Sequence, residues 1–183
     1  MREFFTDTNK RIAIYDDLFT LGERQKYYLF CINSNFKLGW VDGVKIEKQK
    51  YKFLHSNWSP SDLDASGILD KIKNTAVAKE LEGFTFSQTV LNLSVSSNSY
   101  FVHAHQEQKI LLYYPNLEWE DGWHGETVFY DEPCREIIFT SSYTPGRLCV
   151  FDGTIPHALR PPSRVGPDYR FTLAMIFNSQ KAN

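Results

Sequence analysis

The sequence predicts an α+β fold: a double-sheet β-barrel of jelly-roll type, buttressed by helices from the amino-terminal part of the chain. Three observations predict it. From residue 84 onward the chain reads as seven short β-rich runs separated by turn formers, with no helical pattern between them. Before that point, apolar residues recur at helical spacing behind capping residues. A length of 183 residues, 42% of them apolar, suffices for one sizeable core without staples. One domain over 1–183 is expected, with 1–85 as helical and strand support and 86–178 as the barrel core.

Taken in order, "RIAIYDDLF" reads as a strand running into a turn. Thr20 with Glu23 forms a capping box, and a helix over "LGERQKYYLFCIN" follows, with Leu21, Tyr28 and Cys31 or Ile32 roughly on one face. Ser59 and Pro60 open a second helix, Pro being tolerated at the first helical position. Its expected stripe is Leu63, Leu69, Ile72, Ala76 and Leu81, and Gly83 stops it. The β-rich runs are "FTFSQTVLNLSV", "SYFVHAH", "ILLYYPN", "ETVFYD", "EIIFTS", "RLCVFDG" and "YRFTLAMIFN".

Net charge is −2 with no long block of either sign, so nothing marks a nucleic-acid or anionic-membrane partner. Cys31, Cys134 and Cys149 are odd in number and widely spaced, which argues against a disulfide framework or a thiolate zinc site. The first residues, "MREFFTDTNK", lack the apolar core of a signal peptide, and no apolar run is long enough to span a bilayer. The expectation is a soluble cytoplasmic protein.

Three features of the β-rich half carry chemistry. In "SYFVHAHQEQK", His103 and His105 would share one face of a strand, with Glu107 next in line. In "DGTIPHALRP", His157 follows a turn. In "YRFTLAMIF", Arg170 and Thr172 share one strand face, while Phe171, Leu173 and Met175 occupy the other. Two close imidazoles plus one distant in sequence make an open site for a transition metal. An arginine on an inward barrel face is costly unless an anion meets it. The alternative for Arg170 is a surface ion pair with Asp168.

As an ordered set, "HAHQEQKILLYYPNLEWEDGWHGETVFYD", "PGRLCVFDGTIPHALRP" and "YRFTLAMIF" resemble the Fe(II)/2-oxoglutarate-dependent dioxygenases. The nearest branch is the prolyl-4-hydroxylase-like one, with its small phage and bacterial members. The resemblance spans residues 90 to 178, about half the chain. It implies a double-stranded β-helix, Fe(II) as metal, 2-oxoglutarate as cosubstrate and dioxygen as oxidant. It further implies hydroxylation of a C–H bond in a peptidyl (for example prolyl) or small-molecule substrate, with release of succinate and CO2. By position, His103 resembles the first metal ligand and His157 the distal one. Arg170, thirteen residues beyond His157, resembles the arginine that grips the far carboxylate of 2-oxoglutarate. Tyr114 resembles a tyrosine that helps hold that carboxylate, and Thr172 adds a hydroxyl on the same strand face. Glu126 and Thr127 read as part of a structural turn, and His55 and His124 as structural or exposed.

The chain departs from the family at one place. The family motif is His-x-Asp or His-x-Glu, and here the acidic position is His105. Either the site is a triad of His103, His105 and His157, or the motif slips by two to use Glu107, or the site is degenerate. The longer loop from His105 to the next strand favours the triad. Two other functions stay open: a three-histidine iron dioxygenase that uses no 2-oxoglutarate, and a non-catalytic barrel acting as a binding module.

Overall fold

The computed structural model describes residues 1–39 and 54–180. In chain order the strands are β1 (Arg2–Phe5), β2 (Arg11–Tyr15), β3 (Lys37–Leu38), β4 (Leu54–Ser56), β5 (Phe84–Ser94), β6 (Gln108–Tyr113), β7 (Thr127–Tyr130), β8 (Ile137–Ser141), β9 (Leu148–Asp152), β10 (His157–Leu159) and β11 (Arg170–Ser179). The helices are α1 (Leu21–Ile32), α2 (Pro60–Ser66) and α3 (Ile68–Lys73), followed by a 3-10 turn over Ala76–Leu81. The fold is α+β and mostly antiparallel. One sheet has the order β1-β2-β9-β6-β11-β5-β4-β3 and the other β10-β7-β8. None of the described helices is long and apolar enough to cross a membrane.

Alternation along the large sheet separates two apolar clusters. Ala13, Tyr15, Leu111, Tyr113, Leu148, Val150, Phe171 and Leu173 face the helices. Their neighbours Ile12, Ile14, Ile110, Leu112, Tyr114, Cys149 and Phe151 face the other way and pack with Phe129 of β7. The candidate chemistry lies on this second face. Helices thus buttress one side of the large sheet, as expected, and β1 to β4 extend the same sheet that holds β5 and β6.

The capping boxes form as read. Thr20 accepts from the Glu23 amide and Glu23 accepts from the Thr20 amide, and Ser59 and Asp62 do the same for α2. The buried helix faces match expectation only in part: in α1 Cys31 is buried and Tyr28 packs against the core as read, but the rest differs. In α1 the buried residues are Tyr27 and Cys31, while Leu21 is 61% and Ile32 41% exposed. The reason is aromatic packing: Tyr27 meets Phe19 and Tyr113 edge-on, with centroids 5.4 and 5.8 Å away, and a buried ring outweighs an aliphatic chain. The expected second helix is broken at Gly67, whose φ of 72° is left-handed. That turn shifts the stripe to Leu63, Ile68, Ile72 and Val77.

"SYFVHAH" is not a strand, which corrects the expectation. His103 instead exchanges two backbone hydrogen bonds with His157 (3.0 and 2.9 Å), and the His105 amide donates to the Gly153 carbonyl (2.8 Å). The segment is satisfied by two different partners in turn, so no continuous ladder forms. Short strands β1, β3, β4 and β10 complete the described sheets, where the sequence shows no strand signal of its own.

The junction of β2 with β9 is closed by Arg147, 7% exposed, which donates to both carboxylate oxygens of Asp16 (2.7 and 3.2 Å). Burial works against the Asp16 carboxylate, but Arg147, helped by Arg2, outweighs it and holds the carboxyl below its ordinary value. Such a group contributes stability that is present above its unfolded value of 3.8 and lost as pH falls through the folded one. Asp16→Asn is expected to cost about 1–3 kcal/mol at neutral pH, discounted from the buried-pair limit because Asp16 is partly exposed. Urea unfolding at neutral and acidic pH checks this: the gap between the two proteins should shrink as the medium becomes acidic.

Candidate functional site

The inward face of the large sheet and β10 converge on three histidines. His157 opens β10 and is buried; His103 and His105 come from the irregular segment bridged to it. Ring centroids are 4.4 Å apart for His103 and His157, 5.2 Å for His103 and His105, and 5.4 Å for His105 and His157. One ring nitrogen from each lies within 4.8 Å of the others, the one such group of metal-ligating side chains among the described residues. Glu107 is exposed and outside this group.

His157 Nδ1 lies 2.8 Å from the Ile155 carbonyl. A carbonyl only accepts, so Nδ1 carries the hydrogen and Nε2 keeps its lone pair. Backbone pinning of this kind orients imidazoles that ligate metals. Burial, then repulsion from His103 and His105, pushes the His157 pKa well below its ordinary value, so the ring is neutral, the form a metal requires. The three rings line a cavity of about 70 Å³ whose other walls include Val90, Leu112, Phe151, Ala174 and Ile176. A cleft of about 680 Å³ beside α1 is larger but touches none of the three; the donor set decides for the smaller cavity.

Arg170, at the start of β11, is fully buried. Its Nε donates to the Gly125 carbonyl (2.8 Å), while Nη1 and Nη2 have no hydrogen-bond partner among the described residues. Thr172 Oγ1, one step along the same face, is buried and likewise without a partner. No ion pair joins Arg170 to Asp168 among the described residues, so the surface-pair reading fails. Burial lowers the Arg170 pKa, and Tyr143, Tyr114 and Glu126 partly offset it; a guanidinium nonetheless stays charged in any protein. Its central carbon lies 5.0 Å from the Tyr143 ring centroid and 5.9 Å from that of Tyr114. The Tyr114 hydroxyl lies 2.7 Å from Thr127 Oγ1 and 3.2 Å from Ser141 Oγ, and burial above all pushes its pKa up to about 12, keeping it a donor. Two guanidinium nitrogens and a hydroxyl without partners among the described residues are donors that one carboxylate could satisfy.

The remaining sequence candidates fall outside the triad. His124 is exposed with φ of 60°, and His55 holds the Gly39 carbonyl through Nδ1 (2.9 Å) while its ring borders the cavity. Gly125, beside His124, has a positive φ of 85°. A Cβ there would lie 2.8 Å from the Trp119 ring and 3.2 Å from Arg170 Cδ and Nε. Gly125→Ala is expected to cost roughly 2 kcal/mol or more from backbone strain and overpacking. A lowered thermal midpoint together with weaker anion binding is the expected signature. Sequence reading missed Tyr143 and Asn116, which hold the start of β11; each stands alone in a loop, with no pattern to mark it.

No family sequence model matches the chain, and no curated protein sequence matches it. Solved structures do. A Pseudomonas putida prolyl-4-hydroxylase superposes with a TM-score of 0.65 at 13% identity, covering 92% of each chain. A 2OG-Fe(II) oxygenase family oxidoreductase from Burkholderia pseudomallei gives a TM-score of 0.67 at 10% identity, over 91% of this chain and 84% of that one. HygX from Streptomyces hygroscopicus, solved with nickel and 2-oxoglutarate bound, gives 0.65 at 8% identity, over 92% and 82%. The chain has the fold of the 2-oxoglutarate/Fe(II) oxygenases, with prolyl-4-hydroxylases among its structural neighbours.

Proposed function

We propose that the protein is an Fe(II)- and 2-oxoglutarate-dependent oxygenase that hydroxylates a C–H bond of a peptidyl or small-molecule substrate, releasing succinate and CO2. One observation carries the reading. Three imidazoles, one buried and two half-buried, line a cavity walled by the inward face of the large sheet, the face that also bears an arginine whose two outer nitrogens have no partner among the described residues. The residues fit both groups: neutral imidazoles suit a divalent transition metal, and Arg170 with Thr172 suits a carboxylate. We read the two sheets as one double-stranded β-helix and the chain as one domain.

In this reading His103, His105 and His157 hold the metal, and Arg170, Thr172 and Tyr114 hold the far carboxylate of 2-oxoglutarate. Fe(II) with this cosubstrate supplies activation of dioxygen coupled to oxidative decarboxylation. The chain supplies the rest. Arg170 orients the cosubstrate, and the Tyr114 hydroxyl, kept protonated by burial, would donate to the same carboxylate by giving up its bond to Thr127 or Ser141. Val90, Leu112, Phe151 and Ile176 make one part of the cavity wall apolar, while Gln88, Asn92 and His55 give it a polar edge. With no carboxylate among the ligands, the double charge of the ion is left for the anionic cosubstrate to balance.

That same absence favours a second reading, a three-histidine iron dioxygenase that needs no 2-oxoglutarate. Anaerobic titration of the iron-loaded protein separates them. A visible charge-transfer band on adding 2-oxoglutarate, and succinate formed only in its presence once air is admitted, supports the first. Metal binding with neither response overturns it.

A further inference from the structure

We infer that Asn116 and Tyr143 are positioning residues that preset Arg170 and thereby set the affinity for the second carboxylate of a 2-oxo diacid. The inference rests on the proposed reading of Arg170 as the carboxylate-binding residue, and it concerns residues outside the metal site.

Arg170 begins β11, where the sheet is incomplete. On one side it pairs with Ser94 of β5, but pairing with β6 starts only at Leu173, opposite Tyr113. The strand end that bears the arginine therefore lacks a backbone partner on its second edge. Asn116 supplies it. Its Oδ1 accepts from the Phe171 amide (2.9 Å), and its Nδ2 donates to the Tyr169 carbonyl (3.2 Å). The Tyr143 hydroxyl completes the set, lying 2.8 Å from the Phe171 carbonyl and 2.7 Å from Asn116 Oδ1, and accepting from the Asn116 amide (3.1 Å). Backbone groups on both sides of Arg170 thus end on two buried side chains.

The Tyr143 ring does a second job. It lies under the guanidinium, at 5.0 Å, and stacks on Tyr114 with centroids 4.6 Å apart and planes 11° from parallel. Trp119 also packs on the Tyr143 ring, with centroids 4.2 Å apart. With Nε tied to Gly125, the guanidinium has its plane and its inner edge fixed, and only the two outer nitrogens remain for a ligand. Burying an amide and a phenol is a costly way to close a strand end, since apolar residues would fill the same volume. A prearranged arginine loses less freedom on binding, which is where such a clamp gains affinity.

The test uses the full chain loaded with Fe(II) under anaerobic conditions, with 2-oxoglutarate and pyruvate as probes in calorimetry. Pyruvate keeps the 2-oxo acid and lacks the second carboxylate. The wild type is expected to prefer 2-oxoglutarate. Tyr143→Phe, which keeps the ring and removes the hydroxyl, should weaken 2-oxoglutarate roughly five- to tenfold. Tyr143→Leu should weaken it further. Pyruvate and metal affinities should stay put, and Tyr143→Phe should have no added effect in an Arg170→Ala background. Equal weakening of both probes, or an unchanged preference in Tyr143→Phe, overturns the inference. If Tyr143→Leu fails to fold, Tyr143→Phe alone decides. A wild type that binds the two probes alike instead overturns the reading of Arg170, a failure visible before any variant is made.

Discussion

His157→Ala is expected to abolish stoichiometric binding of a divalent metal, and Glu107→Ala to leave it intact. His157 is the buried member of the triad, its ring oriented by the Ile155 carbonyl and kept neutral by burial. An alanine there removes one of three ligand atoms that lie within 4.8 Å of one another, and among the described residues no fourth metal-ligating side chain belongs to that group. The loss should exceed the roughly 10–100-fold that follows removal of an outer-shell partner. His105→Ala should behave like His157→Ala, since its ring is within the same 4.8 Å group and Glu107 is not. Metal content after dialysis, with circular dichroism to confirm folding, reads all three. Retention of metal by His105→Ala and its loss in Glu107→Ala would show that the register slips by two in solution.

Arg170→Met should move function and stability in opposite directions. The guanidinium is fully buried with two of its three nitrogens unpartnered, an arrangement that costs the ligand-free fold. Replacement by an apolar chain of similar length is expected to raise unfolding free energy by about 1–4 kcal/mol. The same change removes the charge-assisted contacts to the carboxylate and should weaken 2-oxoglutarate roughly 10- to 150-fold, the equivalent of about 1.5–3 kcal/mol. Urea unfolding of the ligand-free proteins and a binding titration give the two numbers. A variant that is less stable and binds equally well would mean that Arg170 is a structural residue.

Much of this site was legible because strand alternation and charge burial leave marks in sequence. Arg170 and Thr172 on one face against Phe171 and Leu173 on the other is a period-two statement, and the two apolar clusters divide accordingly. The opposition of Tyr113 and Tyr114 follows from the same rule. Where the reading failed, tertiary contacts overrode local pattern. His103 and His105 do come together, but through a bridge to His157 and a bond to Gly153 rather than by sharing a strand face. Of the expected α1 face Cys31 is buried, but the aromatic trio of Phe19, Tyr27 and Tyr113 rotates the helix enough to leave Leu21 and Ile32 exposed. Asn116 and Tyr143 act by reaching a backbone far away in sequence, and no window of residues reveals that.

The irregular course of residues 101 to 105 bears on how the protein would respond to its metal. Two proposed ligands sit on a stretch without a ladder, and the third on a strand paired with β7. A bound ion would therefore be a stitch between a loosely held rim and a firm wall. Loading it should slow amide hydrogen exchange at the rim far more than along β11. The melting temperature should also climb with free metal concentration, as for any ligand that favours the folded state. Chelation would reverse both, loosening the rim that carries His103 and His105 while the helix-backed face of the large sheet keeps its protection.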